Sequence, residues 1–151
     1  MEREFIPPHG GCFGCGPDNP AGFRLELVRE ANTVKVEFVP SPSHAGYEGL
    51  VHGGIICLLF DEVMGVAAGY GQDRPCMSAE LTVRFVHPLP LGKRYFFIGE
   101  VTSDKRRLWL TRGEARGEGG ELYAWATGKY IPLSERKQEI LGERLQVKLG
   151  G

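Results

Sequence analysis

The sequence predicts an α+β fold, one long apolar helix lying on a curved antiparallel sheet of about six strands. Two observations carry the prediction. From Ile55 to Gly69 every residue is apolar or small except Asp61 and Glu62, which calls for a helix buried nearly all round. On either side of it lie runs that alternate apolar and polar residues, the later ones joined by short turn-like links.

Taken in order, residues 1–22 hold five glycines and four prolines and read as an irregular arm anchored by Phe5, Ile6 and Phe13. Residues 23–133 form the domain. Phe23, Leu25 and Leu27 alternate with Arg24 and Glu26, Val34, Val36 and Phe38 alternate with Lys35 and Glu37, and Glu30-Ala31-Asn32 turns between the two strands. Pro40, Pro42, Gly46 and Gly49 mark a loop that leads directly to the helix and lines the expected site. After the helix, strands are expected at Ser78 to His87, Arg94 to Ser103, Arg107 to Arg116 and Glu121 to Ile131. Short links make these a four-stranded meander of consecutive neighbours. Residues 134–151 read as a tail, either frayed or a short helix capped by Ser134 with Ile140, Leu141, Leu145 and Val147 at helical spacing. Trp109, Trp125, Tyr95, Phe97 and Tyr123 are expected as core aromatics, or as a sheet face used in a tetramer.

The helix carries the chemistry. At 100° per residue, Gly54, Cys57, Asp61, Gly65 and Ala68 share one narrow stripe, so Asp61 looks along a small-residue side. An acid in apolar surroundings is costly unless partnered, and such positions are where general bases and nucleophiles are tuned. Gly53-Gly54 begins the helix, where free N–H groups and the dipole accept a carbonyl oxygen.

His52-Gly53-Gly54, the apolar run, Asp61 and Gly65 resemble the pattern of the PaaI-like acyl-CoA thioesterases of the hotdog fold. The opening Cys12-Phe13-Gly14-Cys15-Gly16-Pro17-Asp18-Asn19-Pro20 with Gly22 is similar to a CFxCGPxNPxG segment of many members. The resemblance runs to about Ile131 and implies hydrolysis of an acyl-CoA thioester to a carboxylic acid and CoA. It also implies a homodimer joined sheet edge to sheet edge, extended in some arrangements to a dimer of dimers, with Asp61 supplied by the partner subunit.

Under that resemblance the Gly54 amide, aided by Gly53, polarises the carbonyl, an interaction of around 3 kcal/mol per donor. Asp61 is either the nucleophile or the activator of the attacking water. His52 either orients the thioester or binds its own loop. Ser78 falls where relatives position the water, yet strict alternation groups it with Glu80, Thr82 and Arg84, so only a bulge at the strand start would turn it to the site. Glu62 is expected to pair with a basic partner across the interface. Gly46 stands where several relatives carry asparagine, with Tyr47 and Glu48 beside it at the substrate loop. Arg94 and Arg106, with Lys93, Lys105 and Arg107, are the candidate phosphate contacts, or simply solvated turns.

A net charge of −1 and a pI near 6.4 give no reason to expect nucleic acid. No Walker loop or dinucleotide fingerprint occurs, and no nucleotide cofactor is expected. The start MEREFIPPHGG lacks the form of a signal peptide, and the apolar run is interrupted by Asp61-Glu62, so no membrane span and a cytoplasmic location are expected. Cys12 and Cys15 form the one CxxC; His9 and His44 are conceivable completions of a zinc set, but the reading preferred here is packing in a glycine-rich loop without metal. The competing functions are a non-catalytic acyl-CoA-binding or regulatory module, a dehydratase or hydratase, and a ligand-free structural dimer. A buried acid two turns into the helix favours the hydrolase.

Overall fold

The computed structural model describes residues 2–139, so Ile140, Leu141, Leu145 and Val147 lie outside the described residues. It contains β1 (Arg3–Phe5), β2 (Val28–Glu30), β3 (Thr33–Phe38), α1 (Gly53–Gly71), β4 (Cys76–Phe85), β5 (Tyr95–Lys105), β6 (Leu108–Gly117) and β7 (Leu122–Pro132). One antiparallel sheet of seven strands in the order β1-β2-β3-β5-β6-β7-β4 carries α1 on one face.

The helix on a curved antiparallel sheet of about six strands is as expected, and this order adds one strand to it and corrects two details. The seventh strand is Arg3–Phe5 of the arm, which pairs with Val28–Glu30. Residues 23–27 do not extend the sheet: Phe23 and Leu25 donate to the carbonyls of Phe13 and Gly14, and Arg24 takes a positive φ of 52°. The N-terminal loop thus captures backbone donors that alternation alone assigns to a strand. The meander is also three-stranded, since β5 follows β4 in sequence but pairs with β3 and β6, while β4 closes the far edge against β7. The link 86–94 is held instead by the loop before the helix, where Leu50 bridges Pro90 and Leu91 donates to Gly49.

Glycines on the inner face of the sheet let the helix lie close. A methyl group at Gly99 would stand 2.6 Å from the Val63 carbonyl oxygen, and one at Gly113 would stand 2.8 Å from the Phe60 ring. Ile56, Leu59, Phe60, Val63, Met64 and Ala67 of α1 are buried against this face with Tyr95, Phe97 and Trp109. Trp125 instead lies on the outer face, 5.1 Å beneath the Arg112 guanidinium. The helix has the length and hydropathy of a membrane span, and sheet packing accounts for that apolarity. It is not covered all round: Gly53 and Gly54 are exposed, and Cys57, Leu58, Asp61, Glu62 and Gly65 are only half-buried. At the C-terminal side, residues 135–139 are helical after Ser134, whose hydroxyl accepts from the Lys137 N–H at 3.4 Å.

Candidate active site

His52 stands at the N-cap of α1 with extended backbone, and its Nδ1 accepts the Gly54 N–H at 2.8 Å. The Gly54 amide is therefore already partnered in this conformation. Gly53 is the first helical residue, where no intrahelical acceptor exists, and a side chain there would meet nothing nearer than the Phe85 ring at 3.7 Å. The loop before the helix is tied by His52 N–H to the His44 carbonyl and by Gly46 N–H to that of Leu50. Gly46 packs on His52, with a Cβ position 3.1 Å from its Cα, so a side chain at this place would require His52 to give by a few tenths of an ångström. Tyr47 projects from the tip of this loop, 86% exposed.

Two turns along α1, Asp61 is not an unpartnered acid. Its Oδ1 accepts the Ser78 hydroxyl at 2.7 Å and the Tyr130 hydroxyl at 2.8 Å. Ser78 reaches it through a bulge. Ser78 pairs with Tyr130 and Glu80 with Lys129, leaving Ala79 as an inserted residue that turns Ser78 toward the helix while Leu81 and Val83 keep the inward positions. Tyr130 escaped the sequence reading. The available signal was its place on the β7 face otherwise made of Ala124, Ala126 and Gly128, where one large polar-tipped side chain stands among small ones. Burial, and then the charge of Asp61, raise the Tyr130 phenol, so it remains a donor. The same two causes push the neighbouring Cys76 thiol up to about 11.

Glu62 points elsewhere, under the N-terminal loop, with Cys12 Sγ 3.9 Å from its Oε1. Among the described residues no basic side chain pairs with it. Burial foremost, then the Cys12 charge, pushes its carboxyl up to about 7. Within the loop the Cys15 thiol donates to Cys12, which lowers Cys12 and raises Cys15.

The basic candidates are not brought together. Arg94 is ion-paired with Glu37 at 2.8 Å and Glu118 at 3.4 Å. Arg106 lies in the β5–β6 turn, separated from it by the whole of β5, a span of more than roughly 30 Å. One nucleotide phosphate group on a single chain is thus served by one of them, not both. Arg94 is at the end of β5 where Tyr95 bonds the Pro90 carbonyl beside the helix approach.

One helix cradled by a curved antiparallel sheet, with an exposed glycine start and a hydroxyl-held acid on its open stripe, defines a hotdog domain. The Thioesterase superfamily profile matches residues 48–124, about half of the chain, and the protein belongs to that family. It is 28% identical over 129 residues to the acyl-coenzyme A thioesterase THEM4 of Bos taurus, covering 83% of this chain and 52% of the relative. The chain thus spans about half the length of that curated relative. Among solved structures, the thioesterase superfamily protein RHA08564 shares 28% identity at a TM-score of 0.75, covering 80% of this chain and 60% of that one. The PaaI protein of the E. coli phenylacetic acid degradation operon shares the fold at a TM-score of 0.67 and 16% identity, covering 73% and 80%. A Streptococcus mutans protein solved bound to acetyl CoA has a TM-score of 0.67 and 19% identity, covering 73% and 89%.

Proposed function

We propose that the protein is an acyl-CoA thioesterase that hydrolyses its substrate to a carboxylic acid and free CoA. The observation that carries this reading is Asp61, set on the open stripe of α1 with one carboxylate oxygen held by two hydroxyls. Membership of the thioesterase superfamily and the acyl-CoA thioesterase relative support it. With Oδ1 fixed, we assign Oδ2 to the attacking water. Asp61 takes the water proton as oxygen attacks the thioester carbon, and that proton is returned to the departing CoA thiolate.

Polarisation of the carbonyl falls to the start of α1. The substrate oxygen takes the Gly54 N–H in place of the His52 ring, with the Gly53 N–H beside it. Gly54 and Asp61 are seven residues apart, about 10 Å along the axis, too far for both to act on one carbonyl from the same chain. We therefore assign each site to two copies, the helix start of one and Asp61 of the other. β4 suits that assembly, being a ten-residue edge strand with Met77 56% and Phe85 51% exposed. Tyr47 and Arg94 are assigned to the CoA moiety, Arg94 exchanging a carboxylate for a phosphate.

The test is CoA release, followed with a thiol reagent, from aryl, short, medium and long acyl-CoAs by wild type and Asp61→Ala. Turnover of some member that falls at least a hundredfold in a folded variant is expected. No turnover of any thioester, or equal turnover by the variant, refutes the reading.

A further inference from the structure

The N-terminal CxxC loop has no part in the proposed hydrolysis, yet it is built around three metal-binding side chains. Cys12, Cys15 and Glu62 bring their two sulfurs and a carboxylate oxygen within 4.8 Å of one another. The closest approach in a tetrahedral zinc site is set by Zn–S bonds of about 2.3 Å, which put neighbouring sulfurs roughly 3.7 Å apart. The two limits differ by about 1 Å.

The backbone of the loop is shaped for thiolate ligands. Gly16 N–H donates to the Cys12 carbonyl at 2.8 Å, closing a tight turn over the motif. His9 N–H donates to Cys15 Sγ at 3.4 Å. The Cys15 sulfur thus accepts from a main-chain amide, the kind of second-layer contact that orients metal-bound cysteines. The glycines are required by the closure. A side chain at Gly14 would overlap the Glu62 carboxylate, and one at Gly16 would overlap the backbone of Gly10 and Cys12.

The cluster holds more acidic than basic groups. Three groups that bind metal as anions converge with His9 as the one basic side chain acting on Cys12 and with no ion pair to Glu62 among the described residues, although Cys15 is only 3% exposed and Glu62 is half-buried. Converging anionic donors of this kind are stable when they coordinate a cation. Two thiolates and a carboxylate select a borderline-soft divalent ion over calcium or magnesium.

We propose that Cys12, Cys15 and Glu62 bind one zinc ion, with water in the fourth position on the open side of Cys12 and Glu62. The ion fastens the N-terminal loop to α1 one residue from Asp61. The inference is independent of the hydrolase reading, since it concerns a different set of side chains.

The experiment is metal analysis of the full chain purified under reducing conditions without chelator, followed by titration of the chelator-stripped protein with Co2+. The expected result is one zinc per chain, and thiolate-to-cobalt charge-transfer and tetrahedral ligand-field bands that saturate at one equivalent and disappear on adding Zn2+. Cys12→Ser and Glu62→Gln each raise the Co2+ dissociation constant at least about tenfold, whereas Cys57→Ser leaves it unchanged. The wild-type spectrum keeps the test decisive if a variant fails to fold. Protein free of zinc that gives octahedral or no cobalt bands overturns the proposal.

Discussion

Ser78 Oγ lies 2.7 Å from Asp61 Oδ1 because one residue, Ala79, is inserted in β4 opposite an uninterrupted β7. Ser78 is exposed, so its hydroxyl contributes little to folding and mainly fixes the carboxylate. Ser78→Ala is expected to lower kcat roughly tenfold or more with a smaller effect on KM. Its thermal midpoint stays close to that of wild type. Steady-state kinetics beside calorimetry checks both halves.

Tyr130 holds the same oxygen from the buried side, so Tyr130→Phe is expected to lower kcat and also to cost about 1–2 kcal/mol of stability. Because both hydroxyls act on one atom, the double variant with Ser78→Ala should be non-additive in ln kcat. Additive effects from a double-mutant cycle would mean that the two hydroxyls work on separate things.

The His52 ring caps α1 through the Gly54 N–H. His52→Ala is expected to lose about 1 kcal/mol in urea unfolding, and His52→Asn to recover most of it, because asparagine caps the same donor. Equal losses for both would show that the ring acts through something other than the cap.

Close helix–sheet contact rests on glycine at position 99. Gly99→Ala places a methyl against the Val63 carbonyl backbone, which cannot swing aside, and the expected cost is at least about 2 kcal/mol. Gly71→Ala at the end of α1 meets no atom within 4 Å and should be neutral or stabilising by up to about 1 kcal/mol. Thermal unfolding of the pair separates packing from helix propensity.

Partial burial works against the Glu114 charge, but hydrogen bonds from Arg116 and Arg112 outweigh it and hold the carboxyl below its ordinary value. The folded state therefore binds this proton less readily than the unfolded chain. The resulting stability is present above the unfolded pKa of about 4.3 and is lost as pH falls through and below it. Glu114→Gln should flatten that part of the stability curve below pH 5 and leave the slope above pH 6 unchanged, as read by unfolding at a series of pH values.

The helix and the later strands were legible because their signals are local. Alternation in β6 and β7 and an apolar run interrupted by two acids fix period and length without any tertiary information. The order of strands was not legible, because pairing of β4 with β7 rather than β5 is decided by the loop at Leu50 and Gly49 capturing the 86–94 link. Nor was the turn of residues 23–27 away from the sheet, since Phe13 and Gly14 compete for their amides from ten residues away in the arm. At the site, Asp61 and the helix start were read from spacing and Ser78 from the family resemblance, against the alternation of its strand, whereas Tyr130 comes from 69 residues further along the chain and meets Asp61 only through the fold. Arg106 was grouped with Arg94 by composition, and strand length separates them.

In the proposed enzyme, Asp61 of one copy serves the helix start of another. Hybrid dimers of an Asp61→Ala chain and a Gly54→Pro chain, separated by different affinity tags, test this directly, proline at the second helical position removing the N–H without breaking the first turn. Each homodimer should be inactive, and the hybrid should carry one intact site and about half the activity of wild type per dimer. A hybrid as inactive as its parents, or a chain that stays monomeric while turning over substrate, would contradict the two-copy site.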